Sequence, residues 1–128
     1  MRKLFFLLAA LFWTGVILFF CLVKSSNLPS VEILYLDKAV HVFFHFVFTI
    51  LWFLFFKKKL NTSNMFWPLV VSFLFSLFFG IAIELMQHFF TVTRSADLMD
   101  ELANLSGATL AVVSIVVLNT FDGLVDRI

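Results

Sequence analysis

The chain has 128 residues, of which 62% are hydrophobic and 13% are charged, and its formal net charge is +1. A soluble domain of this size leaves much of its surface in water and carries about a quarter charged residues, so the composition excludes a soluble globular domain and a disordered chain. Cys21 is the single cysteine, which excludes an intramolecular disulfide framework. Nucleic-acid binding has no support, since the sequence has no dense basic stripe. One small integral membrane domain remains.

Four apolar stretches predict membrane-spanning helices, at residues 4–23, 39–56, 66–90 and 101–121. A bilayer core of about 30 Å needs roughly 20 helical residues, and continuous rather than alternating hydrophobicity favours helices over a barrel. The apolar run of the first stretch is longer than that of a cleaved signal peptide, so it is interpreted as an anchor helix. The predicted fold is all-α, with four transmembrane helices forming one compact antiparallel bundle over residues 1–128.

Basic residues predict the orientation, because they are enriched in the cytoplasmic loops of membrane proteins. Six lie at one end of the predicted helices, namely Arg2, Lys3, Lys57, Lys58, Lys59 and Arg127. Three lie at the other end, namely Lys24, Lys38 and Arg94. Both termini are therefore predicted to be cytoplasmic, and the loop at residues 91–99 is predicted to lie outside.

Polar side chains within the last three stretches follow helical spacing, which places them on one face of each helix. The second stretch and the residues before it carry Asp37, His41, His45 and Thr49. The third carries Ser72, Ser76, Gly80, Glu84, Gln87 and His88. The fourth and the loop before it carry Asp97, Asp100, Asn104, Gly107, Ala111 and Ser114.

These faces are predicted to meet near the outer ends of the helices. The second and fourth helices begin there and the third ends there, so their polar groups lie at one depth. Glu84 is six residues before Phe90, or about 9 Å of helix. An ionisable group at this depth needs a partner or a proton, and small residues below it allow close helix approach. The sequence therefore predicts one polar pocket that opens outward.

Each polar residue also has a purely structural interpretation. Asp37 and Asp100 are suited to capping helix N-termini, where carboxylates are favourable. His45 and His88, each taken alone, are typical hydrogen-bonded packing residues, and Arg94 is typical of a solvated loop. Glu84 is the residue for which a functional role is favoured.

The ordered string of these residues resembles the VanZ-like family of bacterial membrane proteins. The resemblance covers about residues 37–108 and rests on Asp37-Lys38-x-x-His41, Glu84-x-x-Gln87, Arg94, Asp100-x-x-x-Asn104 and Gly107-Ala108. His45 stands where the family often has tyrosine, which adds a second imidazole. The family is named for a member associated with resistance to the glycopeptide teicoplanin, so the resemblance implies a role in the envelope at the bacterial cytoplasmic membrane.

The leading hypothesis is a binding protein for an anionic lipid-linked or headgroup ligand outside the membrane. Lys38 and Arg94 would engage phosphate or carboxylate groups. The expected partners are membrane lipids and a lipid-linked cell-wall precursor. No cofactor is predicted, and the oligomeric state is left open. The candidate ligand-binding residues are Asp37, Lys38, His41, Glu84, Gln87, Arg94, Asp100 and Asn104.

Three alternatives remain open. A small intramembrane hydrolase or transferase would use His41 and Glu84 as an acid–base pair, with Asp100 orienting the imidazole. A zinc site would use the i,i+4 pairs His41–His45 and Glu84–His88. Transport is disfavoured, because the polar faces fade into serine and threonine toward the other side.

Overall fold

The computed structural model describes residues 1–23, 35–92 and 95–128, and its elements in these ranges are all α-helices. They are α1 (Arg2–Leu22), α2 (Leu36–Leu60), α3 (Phe66–Phe90), α4 (Leu98–Asp122) and the four-residue α5 (Leu124–Arg127). Helices α1 to α4 are long and apolar enough to cross a membrane. The prediction of an all-α protein with four such helices is confirmed.

Three of the four helices differ in length from the apolar stretches that predicted them. Helix α3 has the predicted bounds, but α2 and α4 extend past 39–56 and 101–121 at both ends, and α1 begins and ends before 4–23 does. For α2 and α4, the apolar run ends at the first charged residue, whereas the helix continues past it. Carboxylates such as Asp37 and Asp100 are favourable in a first turn, and lysines at the end of α2 are favourable in a last turn.

The ends of α4 are fixed by local backbone chemistry. The Asp97 side chain caps its N-terminus by accepting a hydrogen bond from the Met99 amide at 2.8 Å. The predicted capping role therefore belongs to Asp97, while Asp100 lies in the first turn. At the other end, Gly123 adopts a φ of 57°, a left-handed conformation that glycine accepts readily and that ends the helix.

Helix α2 contacts each of the other three long helices and packs most extensively against α4. These two run in the same direction, since Lys38 pairs with Asp97 and Asp100 and, further along, His41 contacts Asn104. Helix α3 runs opposite to both. Its last turns contact the start of α4, and along α2 its contacts move back from Phe79 at Phe48 to Phe75 at Trp52. The N-terminal ends of α2 and α4 therefore lie beside the C-terminal end of α3.

Gly107 allows α2 and α4 to approach closely. A Cβ built on this residue would lie 3.0 Å from the Phe46 amide nitrogen and closer still to the Val42 carbonyl oxygen. Ala103 and Ala111, one turn to either side, are also buried. Close backbone contact at small residues is a common source of helix association in lipid, where burial against another helix replaces burial in equally apolar tails.

An aromatic cluster fills the space between α2 and α3 beneath the polar end. Phe48 is fully buried and stacks on Phe79 with ring centroids 4.7 Å apart. Trp52 meets Phe75 edge to face at 4.7 Å. Such ring pairs contribute about 0.5–1.5 kcal/mol beyond the area that they bury, so this cluster holds α3 at a fixed rotation against α2.

Large apolar side chains cover the outside of the helices. Phe12, Phe78 and Val113, from three different helices, are 72%, 64% and 53% exposed. Exposure of these apolar side chains to water would be strongly unfavourable, whereas in a membrane they would face acyl chains that are equally apolar. The distribution of apolar side chains therefore agrees with the length of the helices in indicating a multi-pass membrane protein.

Candidate ligand-binding site at one end of the helices

Lys38, in the first turn of α2, forms ion pairs with three carboxylates. Its ammonium lies 3.1 Å from Asp37 and 2.7 Å from Asp97, and it also pairs with Asp100. The lysine side chain is 24% exposed and Asp100 only 14%, so the Asp100 pair is largely shielded from water. A ligand anion would therefore compete with these carboxylates for Lys38.

His41 lies one turn deeper and is held by two residues of α4. Its Nδ1–H donates to the Asn104 side-chain carbonyl at 2.9 Å, and its Nε2 lies 3.7 Å from Asp100. The Asn104 amide group in turn donates to Glu101 Oε2 at 3.1 Å. The imidazole is thereby fixed in orientation, with one nitrogen directed toward a carboxylate.

Glu84 approaches the same cluster from α3. Its Oε2 accepts a hydrogen bond from the Asp97 backbone amide at 2.8 Å, and the residue is only 6% exposed. Glu84 therefore shares the cluster with His41, the partner proposed for it in an acid–base pair, but its bonded partner in the described structure is the start of α4. This bond also ties the end of α3 to the cap of α4.

A cavity of about 310 Å³ opens above these side chains. Its walls come from the start of α2, the end of α3 and the approach to α4, and the residues that line it are Asp37, Lys38, His41, Gln87, Ser95, Asp97 and Asp100. Gln87 is 2% exposed and donates to the Cys21 carbonyl at 2.8 Å, which ties α3 to α1 beside the cavity.

Most of the candidate residues lie in this one cluster. Asp37 is at the rim of the cluster with a side chain that is 65% exposed, whereas Asn104 is buried at its base. Arg94, the remaining candidate, lies outside the described residues.

His45 and His88 are separate from the cluster. His45 is buried one turn below His41 and shares a hydrogen bond of 2.7 Å with Ser76 on α3. This is the packing role that its structural interpretation predicts. His88 is on the exposed surface of α3, against the ring of Phe89. Within residues 1–23, 35–92 and 95–128, no group of three or more potential ligands is arranged to hold a metal ion.

The described residues of the cluster carry an excess of negative charge. Five carboxyl groups, those of Asp37, Glu84, Asp97, Asp100 and Glu101, face one lysine and one histidine. At the water-exposed rim, the hydrogen bond from Lys38 holds the pKa of Asp97 below its usual range, and the Met99 amide adds to this effect. Asp97 is therefore ionised at neutral pH.

Sequence reasoning did not select Asp97 or Glu101 as site residues, although both are integral to the cluster. Their spacing offered a signal: Asp97, Glu101 and Asn104 are separated by four and three residues and so share a helix face. Asp97 contributes through its backbone amide, a group that side-chain chemistry does not reveal.

No family model matches this chain, and no curated protein or solved structure is significantly similar to it. The likeness to the VanZ-like family therefore rests on the motif residues alone. The polar motif residues that the structure describes lie in the polar cluster, whereas Gly107 and Ala108 are small buried residues of α4 and Arg94 lies outside the described structure.

Proposed function

We propose that this chain is a VanZ-like protein of the bacterial cytoplasmic membrane that binds the polar head of an envelope lipid or lipid-linked precursor. The four helices form a compact antiparallel bundle with both termini in the cytoplasm, and the polar cavity faces outward. A contribution to glycopeptide resistance, teicoplanin included, belongs to the same proposal.

The observation that carries this proposal is the cavity at one end of four span-length helices. Its lining is polar and charged, whereas the helix surfaces below it are apolar. A lipid presents the matching arrangement, with acyl chains along the helices and a head at their ends. The volume, about 310 Å³, is at the lower end of the range for small-molecule sites and suits a headgroup rather than a whole lipid.

Charge supports the proposed orientation. The lysines of α2, Lys57, Lys58 and Lys59, lie in its last turn, at the end opposite the cavity. Arg2 and Lys3 begin α1, whose other end meets Gln87 beside the cavity. An excess of basic residues marks the cytoplasmic side, which leaves the cavity outside.

Thiol labelling tests the orientation. Ser95 lines the cavity and Ser63 lies in the loop at the opposite end, and both are exposed. In a Cys21→Ala background, we expect a membrane-impermeant maleimide to label Ser95→Cys in intact cells and to label Ser63→Cys only after the cells are opened. The reverse pattern would place the cavity in the cytoplasm and overturn the proposal of an extracellular ligand.

Lipid binding tests the function. We expect the detergent-purified protein, mixed with phospholipids and lipid-linked wall precursors, to retain at least one polar lipid in native mass spectrometry. Asp100→Asn should weaken that binding about tenfold, because Asp100 holds both Lys38 and His41 in place at the cavity wall and the loss of one charge-assisted contact costs about 1.5 kcal/mol. Asp122→Asn, at the far end of α4, is the matched control and should bind as the wild type does. Equal binding by the two variants would contradict a headgroup site in this cavity.

A further inference from the structure

The polar cluster forms a nearly closed ring of hydrogen bonds and ion pairs. From Glu101 it passes through Asn104, His41, Asp100 and Lys38 to Asp97, and from the Asp97 amide to Glu84. The ring ends on two glutamates, Glu101 and Glu84, which are close enough to repel each other electrostatically.

Each of these two glutamates is anchored by one oxygen and presents the other. Glu84 Oε2 is held by the Asp97 amide and Glu101 Oε2 by Asn104. Glu84 Oε1 and Glu101 Oε1 are both buried, and neither has a hydrogen-bond partner in the described part of the chain. A buried, unpaired carboxylate oxygen is costly, so these two oxygens, on residues that interact electrostatically, mark a place for a donor.

A positively charged donor suits this position. The described residues of the cluster remain net negative even with His41 protonated, since five carboxyl groups face two cations. A single proton shared by the two glutamates would neutralise one carboxylate and still leave the described cluster net negative. A water molecule would supply hydrogen bonds but no charge.

A metal ion is also a poor fit for this position. Calcium takes six to eight oxygen ligands and magnesium an octahedral set, and the described residues offer no group of three or more suitable side chains. A primary ammonium needs only two or three oxygen acceptors, because it carries three N–H donors. The two unpartnered carboxylate oxygens meet most of that need.

The backbone leaves room for this arrangement at Gly80. A Cβ on this residue would lie 2.6 Å from Glu101 Oε2 and 3.0 Å from the Asn104 side-chain nitrogen. Any other residue would push the Glu101 carboxylate out of its place. The two glutamates adjoin the cavity, because Asp97 lines the cavity and its amide donates to Glu84.

We propose that Glu84 and Glu101 form a subsite for a primary ammonium group on the head of the bound lipid. This inference rests on the proposed headgroup binding and names the chemical class that the cavity selects. The ammonium displaces no existing contact: it donates to the two free carboxylate oxygens and closes the ring. The cavity thus recognises a cationic amine, while the rest of the headgroup lies among the residues nearer the rim.

Two lipids that differ only at nitrogen provide the test. Phosphatidylethanolamine has a primary ammonium and phosphatidylcholine a trimethylated one that cannot donate a hydrogen bond. With matched acyl chains, we expect the wild type to bind phosphatidylethanolamine about tenfold more tightly in native mass spectrometry, because the ammonium makes a charge-assisted hydrogen bond to each carboxylate. Glu84→Gln and Glu101→Gln should each lose most of this preference, while Asp122→Asn keeps it.

The outcomes separate this inference from the proposed function. Equal binding of the two lipids by the wild type, with loss of both in Asp100→Asn, overturns the ammonium subsite and leaves the headgroup site standing. Absence of any lipid sensitive to Asp100→Asn overturns both. If sodium chloride removes the preference for phosphatidylethanolamine and choline chloride does not, Glu84 and Glu101 bind a free monovalent cation instead. If the two glutamine variants do not fold, the comparison of the two lipids on the wild type still decides.

Discussion

Lys38→Met is expected to lower the stability of the protein by about 2 kcal/mol. Removing one partner of a buried ion pair costs about 3–5 kcal/mol, because the other charge is left uncompensated, and the partial exposure of Lys38 reduces this figure. Three carboxylates lose their common cation at once. Thermal unfolding of the purified protein in one detergent measures the effect as a lower Tm.

A charge-neutral double variant separates electrostatics from packing. Lys38→Met combined with Asp100→Asn should recover part of the lost stability, since it removes the most shielded of the stranded carboxylates. Lys59→Met, an exposed lysine at the opposite end, should change stability by less than about 0.5 kcal/mol. If Lys38→Met were as stable as the wild type, the three carboxylates would not depend on Lys38.

The course of the helices was predictable because lipid imposes simple requirements. A spanning segment must be long, continuously apolar and helical, and the sequence meets these conditions in four places. The ends of the helices were less predictable, since an apolar run and the helix that contains it end at different residues. Asp37, Lys38 and Asp100 are charged and yet helical, because a first turn favours carboxylates and because the lysine finds three of them nearby.

The convergence of the polar faces followed from helix direction alone. Helices that alternate in direction bring the starts of α2 and α4 to the end of α3, so His41, Glu84 and Asn104 lie in one cluster. Which atoms bond could not be predicted, because that depends on rotation about each helix axis. Glu84 contacts a backbone amide rather than an imidazole, and His45 turns to Ser76 on α3.

The same rotation explains why Glu101 was overlooked. In the sequence Glu101 adjoins Asp100 and has the position of a solvated acidic residue in the first turn of a helix. In the structure, the Glu101 carboxylate accepts a hydrogen bond from Asn104 and lies against Gly80, where the missing side chain leaves room for it. A single sequence does not show that Gly80 on α3 and Glu101 on α4 lie in contact, so only the packed structure reveals this pair.

Gly107→Ala is expected to destabilise the protein by about 2 kcal/mol, within the range for an overfilled core. The added methyl group would clash with main-chain atoms of Val42 and Phe46. Main-chain atoms of a helix cannot avoid the clash by a change of rotamer, as a side chain can. Helices α2 and α4 would have to separate. Because Lys38 and His41 reach α4 just above this contact, lipid binding at the cavity should weaken together with the Tm.

Gly15 supplies the matched control within the same chain. It is also a glycine inside a spanning helix, but a Cβ there would meet no atom within 4 Å. Gly15→Ala should therefore be neutral or slightly stabilising, since alanine is the better helix former by about 1 kcal/mol in water. Opposite signs for the two substitutions would show that the α2–α4 contact depends on the missing side chain. Equal signs would mean that the helices do not approach as closely at Gly107 as described, and the polar cluster above would lose its main support.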